Sequence, residues 1–158
     1  MEGACPARPD QLVTCARLLE EARDHAATLR GGPELLAASQ LPAAPDPITE
    51  QWLTRQWTGP ERVLLAGTID QTVVGVGAGH VTRRSAERVG VVDCCYVEAP
   101  ARGVGVGTAL AQALVGWFTA AACAAVDAPA LPGDRETKQL FESQGLSARL
   151  LILRRRLP

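Results

Sequence analysis

Residues 96–114, Tyr96-Val97-Glu98-Ala99-Pro100-Ala101-Arg102-Gly103-Val104-Gly105-Val106-Gly107-Thr108-Ala109-Leu110-Ala111-Gln112-Ala113-Leu114, decide the fold. An apolar strand ends at Val97, a glycine-rich loop follows, and a long apolar helix (108–122) begins at once. Glycines in succession let the chain turn sharply and present consecutive backbone N–H groups to an anion. The helix adds free N–H groups and the positive end of its dipole. The segment therefore predicts a pyrophosphate cradle.

Working outward, the helix leads to a short strand, AAVDAP (124–129), so strand, loop, helix and strand form a β-α-β unit with parallel strands. Upstream, residues 63–69, 72–82 and 88–97 read as three strands joined by the polar breaks Asp70-Gln71 and Arg83 to Glu87, an antiparallel meander. Towards the N-terminus, Leu12, Cys15, Leu19, Ala22, Ala26 and Leu29 recur at steps of three and four, which predicts an amphipathic helix stopped at Gly31-Gly32-Pro33. The proline-rich run 38–47 predicts a loop, and Asp46-Pro47 opens a second helix that carries Trp52, Leu53 and Trp57. Beyond the glycine loop, residues 135–144 predict a helix closed by Gly145, and residues 148–157 a last strand. The expected order is α-α-β-β-β-α-β-α-β, an α+β fold with a mixed, mostly antiparallel central sheet flanked by helices. Residues 1–158 are expected to form one domain, with residues 1–9 flexible.

Composition narrows the function. Apolar residues make up 47% and charged ones 21%, the balance of a chain that folds, and the net charge of −1 offers no basic field for nucleic acid. No apolar run approaches the roughly 18 residues of a membrane helix, and the start has no hydrophobic segment for secretion, which points to the cytoplasm. Cys5, Cys15, Cys94, Cys95 and Cys123 have no metal-ligand spacing, so no metal is expected. On a strand, Cys94 and Cys95 point to opposite faces.

Elimination then acts on the cradle. No lysine stands near the loop for a GxxxxGK[ST] phosphate site, and Thr108 and Leu110 break the G-x-G-x-x-G pattern. The second glycine run, Gly75, Gly77 and Gly79, lies inside a strand and opens no helix, so packing or a bulge explains it.

The remaining spacing, Arg-x-x-Gly-x-Gly at Arg102, Gly105 and Gly107, resembles the coenzyme A loop of the GNAT superfamily of N-acetyltransferases. LPGDRETKQLFESQGL (131–146) resembles that family's fourth helix, and the likeness runs from residue 62 to 156. The resemblance implies acetyl-CoA as cosubstrate, strands four and five parallel and splayed, and the pyrophosphate on the backbone of Val104, Gly105, Val106, Gly107 and Thr108, with Arg102 and Gly103 shaping the turn. It also implies that the main chain of Cys95 and Val97 pairs with the pantetheine arm. The acceptor amine then enters from the side of the first two helices.

An alkyl ammonium, with a pKa of about 10.4, must lose a proton before it attacks a thioester. Asp93 matches an acidic position of relatives and is the candidate general base; its alternative is a structural hydrogen bond. His80 and His25 have suitable chemistry but read more simply as packing or surface residues, and Glu98 as an exposed turn residue. Relatives place a tyrosine on the fourth helix to donate to the departing sulfur, whereas this chain has Phe141, which cannot donate. Asp134 stands where an asparagine contacts the cofactor in relatives. Tyr96 is a weaker candidate donor. Two readings follow: acetyl transfer to an amine in a ternary complex, and a non-catalytic acyl-CoA-binding module. The acceptor is expected to be a small-molecule amine or a protein amino group. Glu34, Asp46, Glu50, Trp52 and Trp57 are candidates for a cationic-amine pocket, with anchoring on the sheet as the plainer role of the tryptophans. The LLIL run before Arg154-Arg155-Arg156 suits a homodimer contact.

Overall fold

Two tight hairpins organise the sheet. Asp70 and Gln71, then Ser85 and Ala86, adopt positive φ, the backbone of two-residue turns whose twist matches the strands they join. They connect β2 (Arg62–Ile69), β3 (Thr72–Arg84) and β4 (Glu87–Val97) as an antiparallel meander. The computed structural model describes residues 1–157. In it a further strand, β1 (Glu2–Pro6), pairs antiparallel with β2, and β5 (Ala125–Asp127) pairs parallel with β4, giving the sheet order β1-β2-β3-β4-β5.

Helices cover both faces. On one lie α1 (Leu12–Ala27), α2 (Gly32–Ala38) and α3 (Glu50–Gln56); on the other lie α4 (Val106–Ala120) and α5 (Arg135–Glu142). Strand alternation divides the apolar residues between two cores. Cys15, Leu18, Leu53 and Trp57 meet Ala66, Val76 and Cys94 on the first face; Leu110, Leu114, Phe118 and Phe141 meet Val63, Leu65 and Val92 on the second. Cys94 and Cys95 do point to opposite faces. No helix among the described residues is long and apolar enough to cross a membrane.

The mixed sheet with its parallel β4–β5 pair matches the fold class read from the sequence, with three differences in element order. Residues 1–9, expected to be flexible, contain β1, whose Cys5 and Ala4 pair with Ala66 and Gly67. Helix α1 ends at Ala27, before Gly31-Gly32-Pro33, and that triplet instead begins α2, with Pro33 in the first turn, where its missing N–H costs nothing. Residues 148–157 form no strand. They have strand-like side chains but pair with no sheet edge among the described residues, and Leu150 to Leu153 are 67–86% exposed.

The strand glycines explain how closely α4 lies on the sheet. A Cβ added at Gly79 would fall 2.7 Å from Phe118 Cζ, and one at Gly90 2.4 Å from Phe118 Cγ. Packing, as expected for the 75–79 run, is its role. A bulge joins it, because Gly79 pairs with Val92 while Ala78 pairs with Cys94, which leaves Asp93 without a partner in the ladder.

Candidate functional site

β4 and β5 part early. Their pairing covers only Val89 to Val91 against Ala125 to Asp127, while β4 continues to Val97. Beyond that point opens a cleft of about 950 Å³, bounded by β4, the glycine loop, the N-terminal turn of α5 and the C-terminal half of α1 with α2. An added Cβ at Gly31 would lie 3.5 and 3.7 Å from Leu131 and Pro132, which line the cleft.

The loop is built by its glycines. A short turn over Ala99–Ala101 ends β4, Gly103 and Gly105 take φ of +81° and +99°, and α4 starts at Val106. Both glycine angles lie where a Cβ is disfavoured. The consequence is a row of donors: among the described residues, no backbone N–H from Gly103 to Thr108 has a protein acceptor. Six consecutive free donors at the positive end of a 15-residue helix fit a pyrophosphate. Arg102 is held by its Nε donating to the Val97 carbonyl at 2.9 Å, with its guanidinium 5.6 Å from the centre of the Tyr96 ring. Gly107 differs from the other two loop glycines: it lies in the first turn of α4 without a positive φ, and a Cβ there would make ordinary contacts with Leu140 and Val97 at 3.8 and 3.9 Å.

Cys95, Val97, Arg102, Gly103, Gly105, Gly107, Thr108, Asp134 and Phe141 all line the cleft, as do Asp93 and Tyr96. Val104 is exposed at the loop tip, and Val106 is buried beneath it in the α4 core. Asp134 caps α5, its Oδ1 accepting the Thr137 N–H at 3.0 Å. Phe141 is 5% exposed and packs in the core of the α4 face.

The bulge sets Asp93 apart from the other strand residues. Its Oδ1 accepts the Gln40 N–H at 2.8 Å, and its Oδ2 lies 2.6 Å from His80 Nδ1. The Asp93 side chain has no exposed area and that of His80 has 13%. Such a buried carboxylate needs both partners, since an unpaired buried charge costs several kcal/mol. Arg62 extends the network by donating to Gln40 Oε1 at 3.2 Å. Glu98, expected as an exposed turn residue, is half-buried and pairs with Arg17 at 3.2 Å. Burial pushes the Cys95 thiol up to about 12 and the Cys94 thiol higher still, which disfavours either as a nucleophile.

The acidic pocket proposed from the sequence does not form at the cleft. Glu34 pairs with Arg154 and lies outside the lining, as do Asp46, Glu50 and Trp52. Trp57 is buried and donates its indole N–H to the Val63 carbonyl at 2.8 Å, the anchoring role. In their place the sequence reading missed Arg30, Leu35, Leu36 and Leu41, which wall the α1–α2 end. The periodicity of α1 marks its buried stripe; nothing in it marks the residues at its end that face a cleft.

Comparison with known proteins agrees with this geometry. The model of the acetyltransferase (GNAT) family matches residues 34–146. Among solved structures, a tetramutant of the BH1408 protein from Bacillus halodurans superposes with a TM-score of 0.76 at 12% identity, covering 98% of this chain and 99% of that one. An aminoglycoside acetyltransferase from an uncultured soil metagenomic sample, solved with sisomicin, gives 0.69 at 12% identity, with 99% and 95% covered. The ribosomal-protein-alanine N-acetyltransferase of Brucella melitensis gives 0.66 at 17% identity, with both chains covered completely (100% each). At these identities the likeness shows the fold. No curated protein matches the chain in sequence.

Proposed function

This chain belongs to the acetyltransferase (GNAT) family, and from that premise we propose that it acts, as one domain, in transferring an acetyl group from acetyl-CoA to an amine within a ternary complex. The observation that carries the reading is the row of unpartnered N–H groups from Gly103 to Thr108 at the mouth of the split between β4 and β5.

Each residue then has a task. The backbone of Val104 to Thr108 holds the pyrophosphate, and Arg102, fixed to the Val97 carbonyl, keeps the turn in shape and adds positive charge. The edge of β4 at Cys95 and Val97, left free by β5, pairs with the pantetheine arm. Phe141 contributes an apolar wall, and Asp134 fixes the start of α5 beside it.

In the reaction a C–N bond forms as the C–S bond breaks, the nitrogen gives up a proton, and the sulfur leaves as the thiol of coenzyme A. We assign the proton acceptor to the Asp93–His80 pair. Asp93 has both oxygens engaged and no exposed side-chain surface, so it acts by orienting His80, which stands outside the cleft lining and takes the proton through water: with Nδ1 donating to the carboxylate, the lone pair is at Nε2. Tyr96, a cleft residue whose hydroxyl has no protein partner among the described residues, is the candidate donor to sulfur. Since Phe141 offers no hydroxyl, a binding module without turnover is the second reading. The five free cysteines suit a cytoplasmic protein, and the exposed Leu150 to Leu153 suit a homodimer, which sedimentation at micromolar concentration tests.

The test of catalysis is thiol release from acetyl-CoA in the presence of amines. Turnover that falls by about a hundredfold in Asp93→Asn and in His80→Gln, with acetyl-CoA affinity retained, supports the assignment. Acetyl-CoA binding with no turnover of any amine establishes the second reading instead.

A further inference from the structure

The acceptor end of the cleft has a chemistry of its own. Its walls are Ala22 and Ala26 of α1, Leu29 at the α1–α2 turn, Leu35 and Leu36 of α2, and Leu41 beyond it. An acceptor carrying several ammonium groups needs carboxylates to replace its water, because a desolvated cation without a partner costs several kcal/mol. This end provides no carboxylate that is not already bonded within the protein. Asp93 is its one acid, and both of its oxygens are already bonded. Glu34, the nearest acid in sequence to the α2 wall, is turned to Arg154 outside the cleft. The other two lining acids, Asp134 and Glu136, belong to the first turn of α5 at the cofactor end.

The charges that do line this end are basic. Arg23 is buried, and its guanidinium is engaged by the Asp24 carboxylate at 3.1 Å and by the carbonyls of Asp46 at 2.5 Å and Pro42 at 3.3 Å. Arg30 is different: it lines the cleft at the end of α1, is exposed, and has no ion-pair or hydrogen-bond partner among the described residues. His25, five residues earlier and in the last turn of α1, also lines the cleft with a ring free of protein partners among those residues.

We propose that the acceptor is a small amine with an apolar body and a carboxylate, the class of hydrophobic α-amino acids, with the body against the leucine wall and the carboxylate on Arg30. The inference rests on the acetyl-transfer reading above and specifies its substrate class. An apolar body gains from each methylene it buries, and an arginine fork pairs with a carboxylate in a planar, two-bond geometry that a polycation cannot use.

The experiment measures thiol release with acetyl-CoA and four acceptors, L-leucine, L-leucinamide, spermidine and sisomicin, alongside calorimetric titration of acetyl-CoA alone and of L-leucine into protein saturated with coenzyme A. L-leucine is expected to bind and to be acetylated with saturation. Leucinamide, lacking the carboxylate, is expected to show a KM about tenfold higher with kcat little changed, and Arg30→Glu to remove that difference by weakening L-leucine alone. Turnover of spermidine or sisomicin but not L-leucine, or turnover of L-leucine with none of the carboxylate effects, overturns the substrate class while the acetyl-transfer reading stands; acetyl-CoA binding with no turnover of any amine overturns both. Failure to bind acetyl-CoA overturns that reading and the inference with it.

Discussion

Residues 75–79 and 103–107 are written almost identically, Gly-Val-Gly-Ala-Gly and Gly-Val-Gly-Val-Gly. In β3 the glycines matter for the atoms they lack: a Cβ at Gly75 would meet Leu110 Cδ1 at 3.1 Å and the Tyr96 carbonyl at 2.9 Å, and one at Gly77 would meet Leu114 at 3.3 Å. In the loop they matter for the backbone they allow. Nothing lies within 4 Å of a Cβ on Gly103, yet its φ is +81°, and its neighbours offer their N–H groups outward. The two runs serve the same helix from different sides. The first lets α4 settle onto the sheet, and the second aims its N-terminus into the cleft. A glycine run therefore has no meaning until the element that contains it is known.

Substitutions separate the two roles. Gly79→Ala drives a methyl group into Phe118 and the Val91 carbonyl and is expected to cost about 3 kcal/mol, read as a lower urea midpoint. Adding Phe118→Leu should recover part of that loss, which an effect on backbone freedom alone would not allow. Next in size, Asp93→Asn should lower kcat by about a hundredfold while leaving acetyl-CoA affinity unchanged, because Asp93 belongs to the bulge and not to the loop. Gly103→Ala meets no atom and should cost only about 1 kcal/mol for its left-handed φ, visible as a small drop in melting temperature.

The smallest effect concerns the thiols of β4. Burial disfavours the thiolate, so with its pKa raised to about 12, Cys95 stays protonated at pH 8 and gains reactivity only as pH approaches that value. Iodoacetamide at pH 8 should leave the buried Cys94 unlabelled in peptide mass analysis and label the partly exposed Cys95 only slowly. Rapid labelling of Cys94 would contradict its placement.

The same distinction explains what the sequence disclosed. The meander, α4 and the glycine loop were legible because each has a period or a turn signal of its own. β1 was not, since Glu-Gly-Ala-Cys-Pro shows no alternation and becomes a strand only through pairing with β2. Residues 148–157 misled in the opposite direction, because apolar content was present without an edge to pair with. At the proposed site, the glycine loop that lines one end of the cleft has a local motif of its own. The proposed acceptor half joins the end of α1, α2 and residues 129–133, and the Asp93–His80 contact depends on a register shift that no local pattern announces.

The central claim, that residues 103–108 form the acetyl-CoA cradle, is tested most directly by calorimetric titration of acetyl-CoA into the wild type and Gly107→Glu. Gly107 sits in the first turn of α4 with room for a Cβ, so the variant should fold with an unchanged melting temperature while its carboxylate repels the pyrophosphate. The account predicts micromolar binding in the wild type and an affinity at least about a hundredfold weaker in the variant. Equal affinity in the two folded proteins, or no binding in the wild type, would contradict it.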